Sequence, residues 1–407
     1  MTSMTEPVRR ITGGVDTHAD THVAVVVDSA TGHVAGTASF DNTSSGYGEL
    51  LGWMHVHGQV DKVGVEGTGT YGAGLARHLR RHGGEVVEVD RPDRKTRRLR
   101  GKSDPVDAEA AARAVLAGTA TGTPKTRDGV VEAMRVLEVL YETADKDRTR
   151  ALNQFRSLLL TAPDELRELL HGLSVPQQLD RARRFHDRGD TDPVVCHTRY
   201  VLRELAYRVA DIETQQAEVE TRLRPLVAYH APALVGLTGA GVHTAAALLV
   251  TAGDNPERMR SEAAFANLCA AAPIPASSGK TTRHRLNRGG DRGANHALWR
   301  IAMVRMSHDP RTRDYVQRRT AEGKSKKEIM RCLKRYIARE VYGAIINPPT
   351  DLPPTGLVLR RLRTQRGLSL QAVAGVIDTT ATRLSKLERE RVFDTRLARR
   401  AHAYITT

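Results

Sequence analysis

The first 120 residues alternate between short valine-rich runs and helical patterns, in an order that few folds accept. Three such runs open the chain, separated by turn residues, and predict an antiparallel three-stranded meander at residues 11–16, 22–28 and 33–40. Further helical and strand patterns then alternate: helices at 44–58, about 72–83 and about 105–116, and strands at 61–66 and 85–90. A hairpin sheet extended by parallel strands is the ribonuclease-H-type order, so we expect an α/β RNase H-like N-terminal domain.

The remainder of the chain is predicted to be mostly α-helical. The helical stretches 130–160 and 197–224 are long enough to form either an antiparallel hairpin or a dimerising coiled coil, and the sequence leaves both open. Two linkers are expected, at 119–126 and in the proline-rich segment 348–354. The predicted division is a catalytic domain, a helical coiled-coil region, a second helical domain and a small C-terminal extension: 1–122, 123–230, 231–347 and 355–407.

Positive charge is concentrated in two segments. The 407 residues carry a net charge of +15, yet residues 277–343 alone have a net charge of +12 and residues 355–407 one of +7. The rest of the chain is therefore slightly acidic. Such concentration suits a polyanion, because each Lys or Arg that meets a phosphate releases a condensed counterion. We expect nucleic acid as the partner.

Composition excludes several other classes of protein. Cys196, Cys269 and Cys332 are too few and too widely spaced for a disulfide framework or a zinc knuckle. The sequence has no run of eighteen apolar residues, and its N-terminus lacks the apolar stretch of a signal peptide. A cytoplasmic protein without a membrane partner is expected.

Four acids occupy informative positions in the predicted domain. Asp16 ends the first strand, Glu66 ends the fourth, and Asp104 and Asp107 begin a helix on one face of its first turn. The first and fourth strands are neighbours in this strand order, so the four carboxylates are expected to converge. Clustered carboxylates need cations, and a Mg²⁺ pair, with Mn²⁺ as a substitute, is the expected cofactor for phosphoryl transfer. Taken alone, residues 104–107 are better explained as a helix start that Asp104 caps, and only the joint position of the four acids favours a site.

A glycine-rich segment that follows Glu66 supports a competing hypothesis. Gly67, Gly69 and Gly72 fit a GxGxxG pattern between a strand and a helix, with Glu88 and Asp90 about 20 residues further on. This pattern is typical of an NAD-binding Rossmann enzyme. The preceding meander and the basic C-terminal half argue against that class.

A second glycine-containing motif lies at residues 234–245, LVGLTGAGVHTA. Two glycines allow a tight turn that presents backbone amides to a phosphate, as in a helix-hairpin-helix. A plain turn between packed helices explains the segment equally well.

A serine loop with many cations follows in the second helical domain. Ser277, Ser278 and Gly279 precede basic residues expected to contact nucleic acid: Lys280, Arg283, Arg285, Arg288 and Arg292. A phosphate-loop interpretation fails, because Ile274 stands where the first glycine is required. An activated serine hydroxyl among arginines is able to attack a phosphodiester.

Six segments together resemble one family, in order and over about residues 11–345. They are GVDTHADTHVAVVVD, VGVEGTGTYG, KSDPVDAEAAARA, LTGAGVHTAAALL, AAPIPASSGK and RGGDRGANHALWRIA. These segments resemble the Piv/MooV-type DEDD transposases, the insertion-sequence "one-ten" family. The resemblance implies a RuvC-like domain whose metal-binding tetrad is Asp16, Glu66, Asp104 and Asp107. It also implies a catalytic serine, matched best by Ser278 and otherwise by Ser277.

The resemblance further implies how such a protein acts. Members recombine DNA through a phosphoserine link, are guided by a noncoding bridge RNA that pairs with the element ends and the target, and assemble as homodimers or homotetramers. In these assemblies the serine domain of one protomer completes the metal site of another. A nuclease that uses the same four acids with water as the nucleophile is the main alternative.

Residues 357–404 depart from that family and resemble a Cro/repressor-type helix-turn-helix. Its first helix is expected at 370–376 and its recognition helix at 381–388. The start of a recognition helix reads the major groove, and the candidate contacts are Thr379, Thr380, Thr382, Arg383 and Lys386. A small oligomerisation cap, or a non-catalytic DNA-binding regulator carried by this segment, remains the alternative.

Overall fold

The computed structural model describes residues 8–89, 103–186, 192–279, 284–347, 354, 356–389, 392 and 394–407. The chain forms two compact units. We call Met1–Gly129 with Ala252–Arg260 the sheet unit, and Val130–Thr251 with Ser261–Thr407 the helical unit.

The sheet unit is built on a five-stranded sheet in the order β3-β2-β1-β4-β5. Its strands are β1 (Arg10–Thr17), β2 (Thr21–Asp28), β3 (Val34–Asp41), β4 (Gln59–Glu66) and β5 (Val86–Val89). The first three are antiparallel, whereas β4 pairs parallel to β1 and β5 parallel to β4. The strand order predicted from the sequence is therefore confirmed, and the sheet has the RNase H-like arrangement.

Helices cover both faces of this sheet. They are α1 (Ser44–His57), α2 (Ala73–Arg81) and α3 (Asp104–Leu116). Leu50 and Met54 of α1 and Leu75 of α2 join the larger core on one face. On the other face, Ala108 and Ala112 of α3 pack against the valines of β2. The small alanines allow α3 to lie close to the strands.

Two glycines set the distance between α3 and the central strands. Gly14 of β1 pairs directly with Gly64 of β4 in the parallel ladder. A Cβ on Gly14 would lie 2.2 Å from the carbonyl oxygen of Ala108 and 2.3 Å from the amide nitrogen of Ala112. A Cβ on Gly64 would lie 2.8 Å from Val115. Glycine is therefore required for α3 to pack where it does.

Residues 119–126, the segment predicted to be a linker, are held against the rest of the sheet unit by hydrogen bonds. The Glu88 amide donates to the carbonyl of Gly122 at 2.7 Å, which extends the edge of β5. The buried Asn255 side chain donates to the carbonyl of Pro124 and accepts from the amide of Thr126. These contacts come from a residue about 130 positions later, which composition alone cannot reveal.

The helical unit has two long helices that pack against each other, α4 (Val130–Leu160) and α7 (Pro193–His230), with α5 (Asp164–Leu170) and α6 (Val175–Arg183) between them in sequence. Phe155 of α4 packs with Leu202 and Leu205 of α7, while Arg148 pairs with Glu213 at 2.6 Å. Later residues of α4 thus meet earlier residues of α7, so the two helices are antiparallel.

The rest of the helical unit carries further helices and one minimal hairpin. Its elements are α8 (Pro232–Val235), α9 (Val242–Ala252), α10 (Glu262–Leu268), β6 (Ile274–Pro275), β7 (His284–Arg285), α11 (Arg292–His308), α12 (Pro310–Ala321) and α13 (Lys326–Ile346). A 3₁₀ turn lies at Pro256–Arg258 in the sheet unit. None of the described helices is long and apolar enough to cross a membrane.

The last four helices have a hydrophobic core of their own. They are α14 (Gly356–Gln365), α15 (Leu370–Val376), α16 (Ala381–Glu388) and α17 (Thr395–Thr406). Leu359, Val373, Leu384, Leu397 and Ile405 are buried together in that core. A bidentate pair between Arg363 and Glu388, which is 2 % exposed, ties α14 to α16.

Candidate functional site

Two of the predicted acids lie at the carboxyl ends of the two central strands. Asp16 is the next-to-last residue of β1, and Glu66 is the last residue of β4. Asp16 follows Gly14 by two residues and Glu66 follows Gly64 by two, so each acid faces the side of the sheet that α3 covers. The Thr17 hydroxyl donates to the carbonyl of Glu66 at 2.8 Å, which joins the two strand ends.

The other two predicted acids lie in the first turn of α3. Ser103 is the N-cap residue and Asp104 the first helical residue, so the alternative in which Asp104 itself caps the helix is wrong. Asp107 is buried at 4 % exposure, whereas Asp104 is half-exposed. The close packing of α3 on Gly14 brings this turn beside the end of β1.

A histidine that the sequence did not single out connects the acids. His18 Nε2 lies 3.2 Å from Asp16 Oδ2 and 3.3 Å from Asp104 Oδ1. One ligand atom from each of Asp16, His18 and Asp104 lies within 4.8 Å of the others. The Asp-x-His spacing at the end of a strand was the available signal, because residues i and i+2 point to the same side.

Burial and neighbouring charge both act on Asp16. Burial raises the pKa of Asp16 above its usual value, and although His18 opposes the shift, the carboxylates of Asp107 and Asp104 add to it. A bound cation would relieve this repulsion. Buried carboxylates with an adjacent imidazole are ligands that divalent metals accept, so the cluster fits a divalent metal ion.

The glycine-rich segment after Glu66 forms a hydrogen-bonded turn at the end of β4. Gly67 adopts a φ of +70°, and its carbonyl accepts from the amides of Thr70 and Gly72. The Thr68 hydroxyl donates to Glu88 at 2.6 Å, which occupies the acid that a dinucleotide's ribose would need. Together with the antiparallel pairing of β1 and β2, this contact argues against the Rossmann alternative. Asp90 lies outside the described residues.

The serine loop belongs to the helical unit. Ser277 and Ser278 are exposed, and Gly279 adopts a φ of +54°, which favours glycine. The short strands β6 and β7 flank the loop. Arg285, Arg288 and Arg292 are all exposed, whereas Lys280 and Arg283 lie outside the described residues.

Amide side chains fix the base of that loop. Asn295 donates to the carbonyls of Cys269 and Ala270, just after α10, at 2.9 and 3.0 Å. Asn287 donates to Asn267 at 2.9 Å, after the loop has returned. Both ends of the loop are thereby anchored to the carboxyl end of α10.

The glycine turn at residues 234–245 is packed as a structural turn. The buried Arg305 donates to the carbonyl of Thr238 at 2.9 Å, and a Cβ on Gly239 would lie 3.1 Å from the carbonyl of Ile301. Helix α8 has a single turn. These contacts favour the turn between packed helices over a phosphate-binding helix-hairpin-helix.

The C-terminal candidates lie around the start of α16. The Thr380 hydroxyl accepts from the amide of Arg383 as the N-cap, and Arg383 pairs with Asp394 at 2.8 Å. Thr380, Thr382, Arg383 and Lys386 are exposed, and Thr379 is half-buried. An exposed polar face at a helix start is thus available in this segment.

Comparison with known proteins identifies the family. Residues 13–162 match a family model for DEDD transposases of the IS110 type, and residues 231–317 match one described as the transposase IS116/IS110/IS902 family. A segment of 138 residues is 33 % identical to the insertion element IS110 uncharacterized 43.6 kDa protein of Streptomyces coelicolor; it covers 33 % of this chain and 34 % of that protein. The match thus spans about a third of the relative's length. All four acids lie in the first matched range and both serines in the second. The chain therefore belongs to the IS110/IS116/IS902 family of DEDD transposases.

Proposed function

We propose that this chain is a transposase or recombinase that cuts and rejoins DNA strands at the ends of an insertion element. The observation that carries the proposal is the acidic cluster. Asp16 and Asp104 lie around His18, Asp107 is close enough to raise the pKa of Asp16, and Glu66 ends the neighbouring strand. A protein that needed these acids only for folding would gain nothing by holding them together.

Asp16, Glu66, Asp104 and Asp107 are the proposed ligands of Mg²⁺, with Mn²⁺ as a substitute. Bound metal supplies charge stabilisation for phosphoryl transfer. His18 is proposed to orient Asp16 and Asp104, because its imidazole contacts both. Asp104 is half-exposed, so its carboxylate is accessible from solvent.

Ser278 is the proposed nucleophile. Its Oγ forms a bond to the scissile phosphorus, the sugar oxygen leaves, and the serine proton ends on that oxygen. Attack by a sugar hydroxyl of the partner strand on the phosphorus then reforms a phosphodiester, the bond to the serine Oγ breaks, and the proton of the attacking hydroxyl ends on the serine. Arg285, Arg288 and Arg292, together with Lys280 and Arg283, are proposed to hold the strand backbone.

A noncoding bridge RNA and a homodimeric or homotetrameric assembly complete the proposal. The two basic segments supply the charge that DNA and RNA both require. In the assembly, the serine of one protomer acts with the acids of another. The C-terminal helices are proposed to form a helix-turn-helix that reads duplex DNA, because an exposed polar face surrounds the start of α16.

The serine mechanism is tested by trapping the covalent intermediate. Wild-type protein, Mg²⁺ and labelled element-end DNA should give a protein–DNA adduct on a denaturing gel. Ser278→Ala should abolish the adduct and leave DNA affinity within about twofold of wild type, because an exposed hydroxyl contributes little to packing. Ser277→Ala is the matched control and should retain the adduct.

Two outcomes would contradict this mechanism. Recombination by both serine variants would exclude a serine nucleophile. Hydrolysed ends without any adduct would favour the nuclease alternative.

The proposed role of α16 has a separate test. Full recombination by a Thr382→Ala, Lys386→Ala double variant with unchanged duplex binding would contradict that role.

A further inference from the structure

A cleft of about 720 Å³ lies in the helical unit beside the serine loop. Residues 270–273, which lead into the loop, form one wall, and residues 284–287, which leave it, form another. Residue 324 and the first three turns of α13 complete the cleft. It has the size of a site for a small ligand and is too small to enclose a duplex.

The lining of the cleft carries an excess of positive charge. Its cations include Arg285, Lys324, Arg331 and Lys334, and Glu328 is the one acid among the described residues that line it. The Glu328 carboxylate is already engaged, because it accepts from the Ser325 amide and hydroxyl in a capping box. No carboxylate among the described residues lies within salt-bridge distance of Arg331 or Lys334.

Lys334 is the unusual member of this lining. It is only 7 % exposed, and its ammonium donates to the amide oxygen of Asn295 at 2.9 Å. Asn295 in turn holds the carbonyls of Cys269 and Ala270 at the base of the serine loop. Burial lowers the pKa of Lys334, and the guanidinium of Arg331 lowers it further. The Glu328 carboxylate interacts with Arg331 from beyond salt-bridge distance, and Lys334 has no carboxylate within that distance among the described residues, so the two close cations favour a bound anion.

An aromatic ring completes the lining. Tyr336 is 51 % exposed although its ring packs edge-on against Tyr315, with 5.8 Å between the ring centroids. An exposed ring beside cations offers a stacking surface for a base next to a site for its phosphate.

We propose that this cleft binds a nucleotide of an unpaired nucleic-acid strand, with its phosphate between Arg331 and Lys334 and its base on Tyr336. This inference rests on the proposed function in one respect, namely that the partner is a nucleic acid. It assigns to α13 a strand-positioning role beside the serine, and the Asn295 contact joins the bound phosphate to the base of the loop. DNA and RNA strands share this chemistry.

Native cysteines allow a test without substitution. Cys332 lines the cleft and is partly exposed, Cys196 on α7 is also partly exposed but does not line it, and Cys269 is buried. The full-length protein is alkylated with N-ethylmaleimide, alone or with a saturating oligonucleotide, and each cysteine is quantified by peptide mass spectrometry. We expect single-stranded oligonucleotide to slow alkylation of Cys332 at least fivefold and to leave Cys196 unchanged.

Comparing different polyanions in this alkylation experiment identifies the ligand of the cleft. Single-stranded DNA and RNA of one sequence decide between the two strand types, and duplex DNA should protect less. Unchanged alkylation of Cys332 under conditions where anisotropy shows the oligonucleotide bound would overturn the proposal. Equal protection by polyglutamate would also overturn it, since the cleft would then bind any polyanion.

Substitutions on α13 measure the phosphate contact separately from catalysis. Arg331→Gln and Lys334→Met should each weaken binding of a single-stranded oligonucleotide about tenfold and reduce the salt slope by about 0.7, the value for one phosphate contact on a single strand. Lys327→Ala removes a charge from an exposed position of the same helix outside the cleft and should leave the slope unchanged.

A purely structural role of Lys334 would change the melting temperature but not the slope of binding against salt. Equal losses in Arg331→Gln and Lys327→Ala would overturn the cleft as the site. These measurements need no cleavage, so a failure of the cleft is distinguishable from a failure of the serine mechanism, which the adduct reports.

Discussion

The acidic cluster and the serine loop are built in opposite ways. Asp16 and Asp107 are buried where a helix packs tightly on two central strands, whereas Ser277 and Ser278 are exposed between two strands of two residues each. Carboxylates repel one another and require a scaffold that over-determines their positions. A neutral hydroxyl carries no such cost and needs only anchored loop ends. The charge of each group therefore decides how rigidly the surrounding structure must hold it.

The largest effect expected from this comparison is on activity. Asp16→Asn keeps the shape of the side chain but removes the charge that we propose holds the metal. DNA cleavage should fall by about a hundredfold to a thousandfold, the scale of losing one charge-stabilising group. The melting temperature without metal should stay the same or rise, because repulsion from Asp104 and Asp107 disappears. The exposed Asp20→Asn is the control and should cleave normally.

Normal DNA cleavage by the Asp16→Asn variant would contradict this comparison, because the buried acids would then have only a structural role. A large fall in its melting temperature would equally contradict the repulsion on which the argument depends.

The second effect is on stability. Gly14→Ala places a Cβ against the backbone of α3 and should lower the free energy of unfolding by about 3 kcal/mol, the upper range for overpacking. Gly279→Ala meets nothing within 4 Å and costs only its left-handed backbone, about 1 kcal/mol. Urea titrations measure both. Trp53, which packs against the sheet core, reports Gly14→Ala in a Trp299→Phe background, and Trp299 of the helical unit reports Gly279→Ala in a Trp53→Phe background.

Gly14→Ala should also weaken Mn²⁺ binding, because α3 carries Asp104 and Asp107 away from Asp16 when it shifts. Equal destabilisation by the two glycine variants would show that the sheet is no more tightly packed than the loop.

The smallest effect is a difference in pH dependence between the two units. His22 is fully buried in the sheet unit, its Nε2 has no partner among the described residues, and burial lowers its pKa. The unfolded chain therefore binds the proton more readily, so the free energy of unfolding should fall as pH drops below about 6.5. In the helical unit, Arg335 and Arg339 hold the pKa of Glu262 at about 2, and its contribution is lost only between about pH 4.5 and 2.

The free energy of unfolding that Trp53 reports should therefore fall between about pH 7.5 and 5.5. The free energy of unfolding that Trp299 reports in a Trp53→Phe background should stay level. His22→Phe should flatten the decline. A parallel decline of both signals would show that the two units share their pH dependence.

The sequence predicted the strands of the sheet and their order because strand alternation and turn residues are local signals. The neighbouring positions of Asp16 and Glu66 followed from strand order alone. His18 was missed because a histidine two residues after an acid looks like part of a turn, and only the packing of α3 brings Asp104 to it. The contacts that hold residues 119–126 were not predicted because Asn255 is distant in sequence. The cleft depends on contacts between residues 270–287 and α13, which no local pattern encodes.

The glycine pair at the centre of the sheet has an engineering consequence. Because hydrogen atoms at Gly14 and Gly64 set how close α3 approaches, the width of the acidic cluster is adjustable from positions that carry no ligand. Enlarging Ala108 or Ala112, both buried against the sheet, should widen it in small steps. Under the proposed function, the preference of the cluster between small Mg²⁺ and larger Ca²⁺ is thus open to tuning through the spacing of the scaffold, while every proposed ligand stays native.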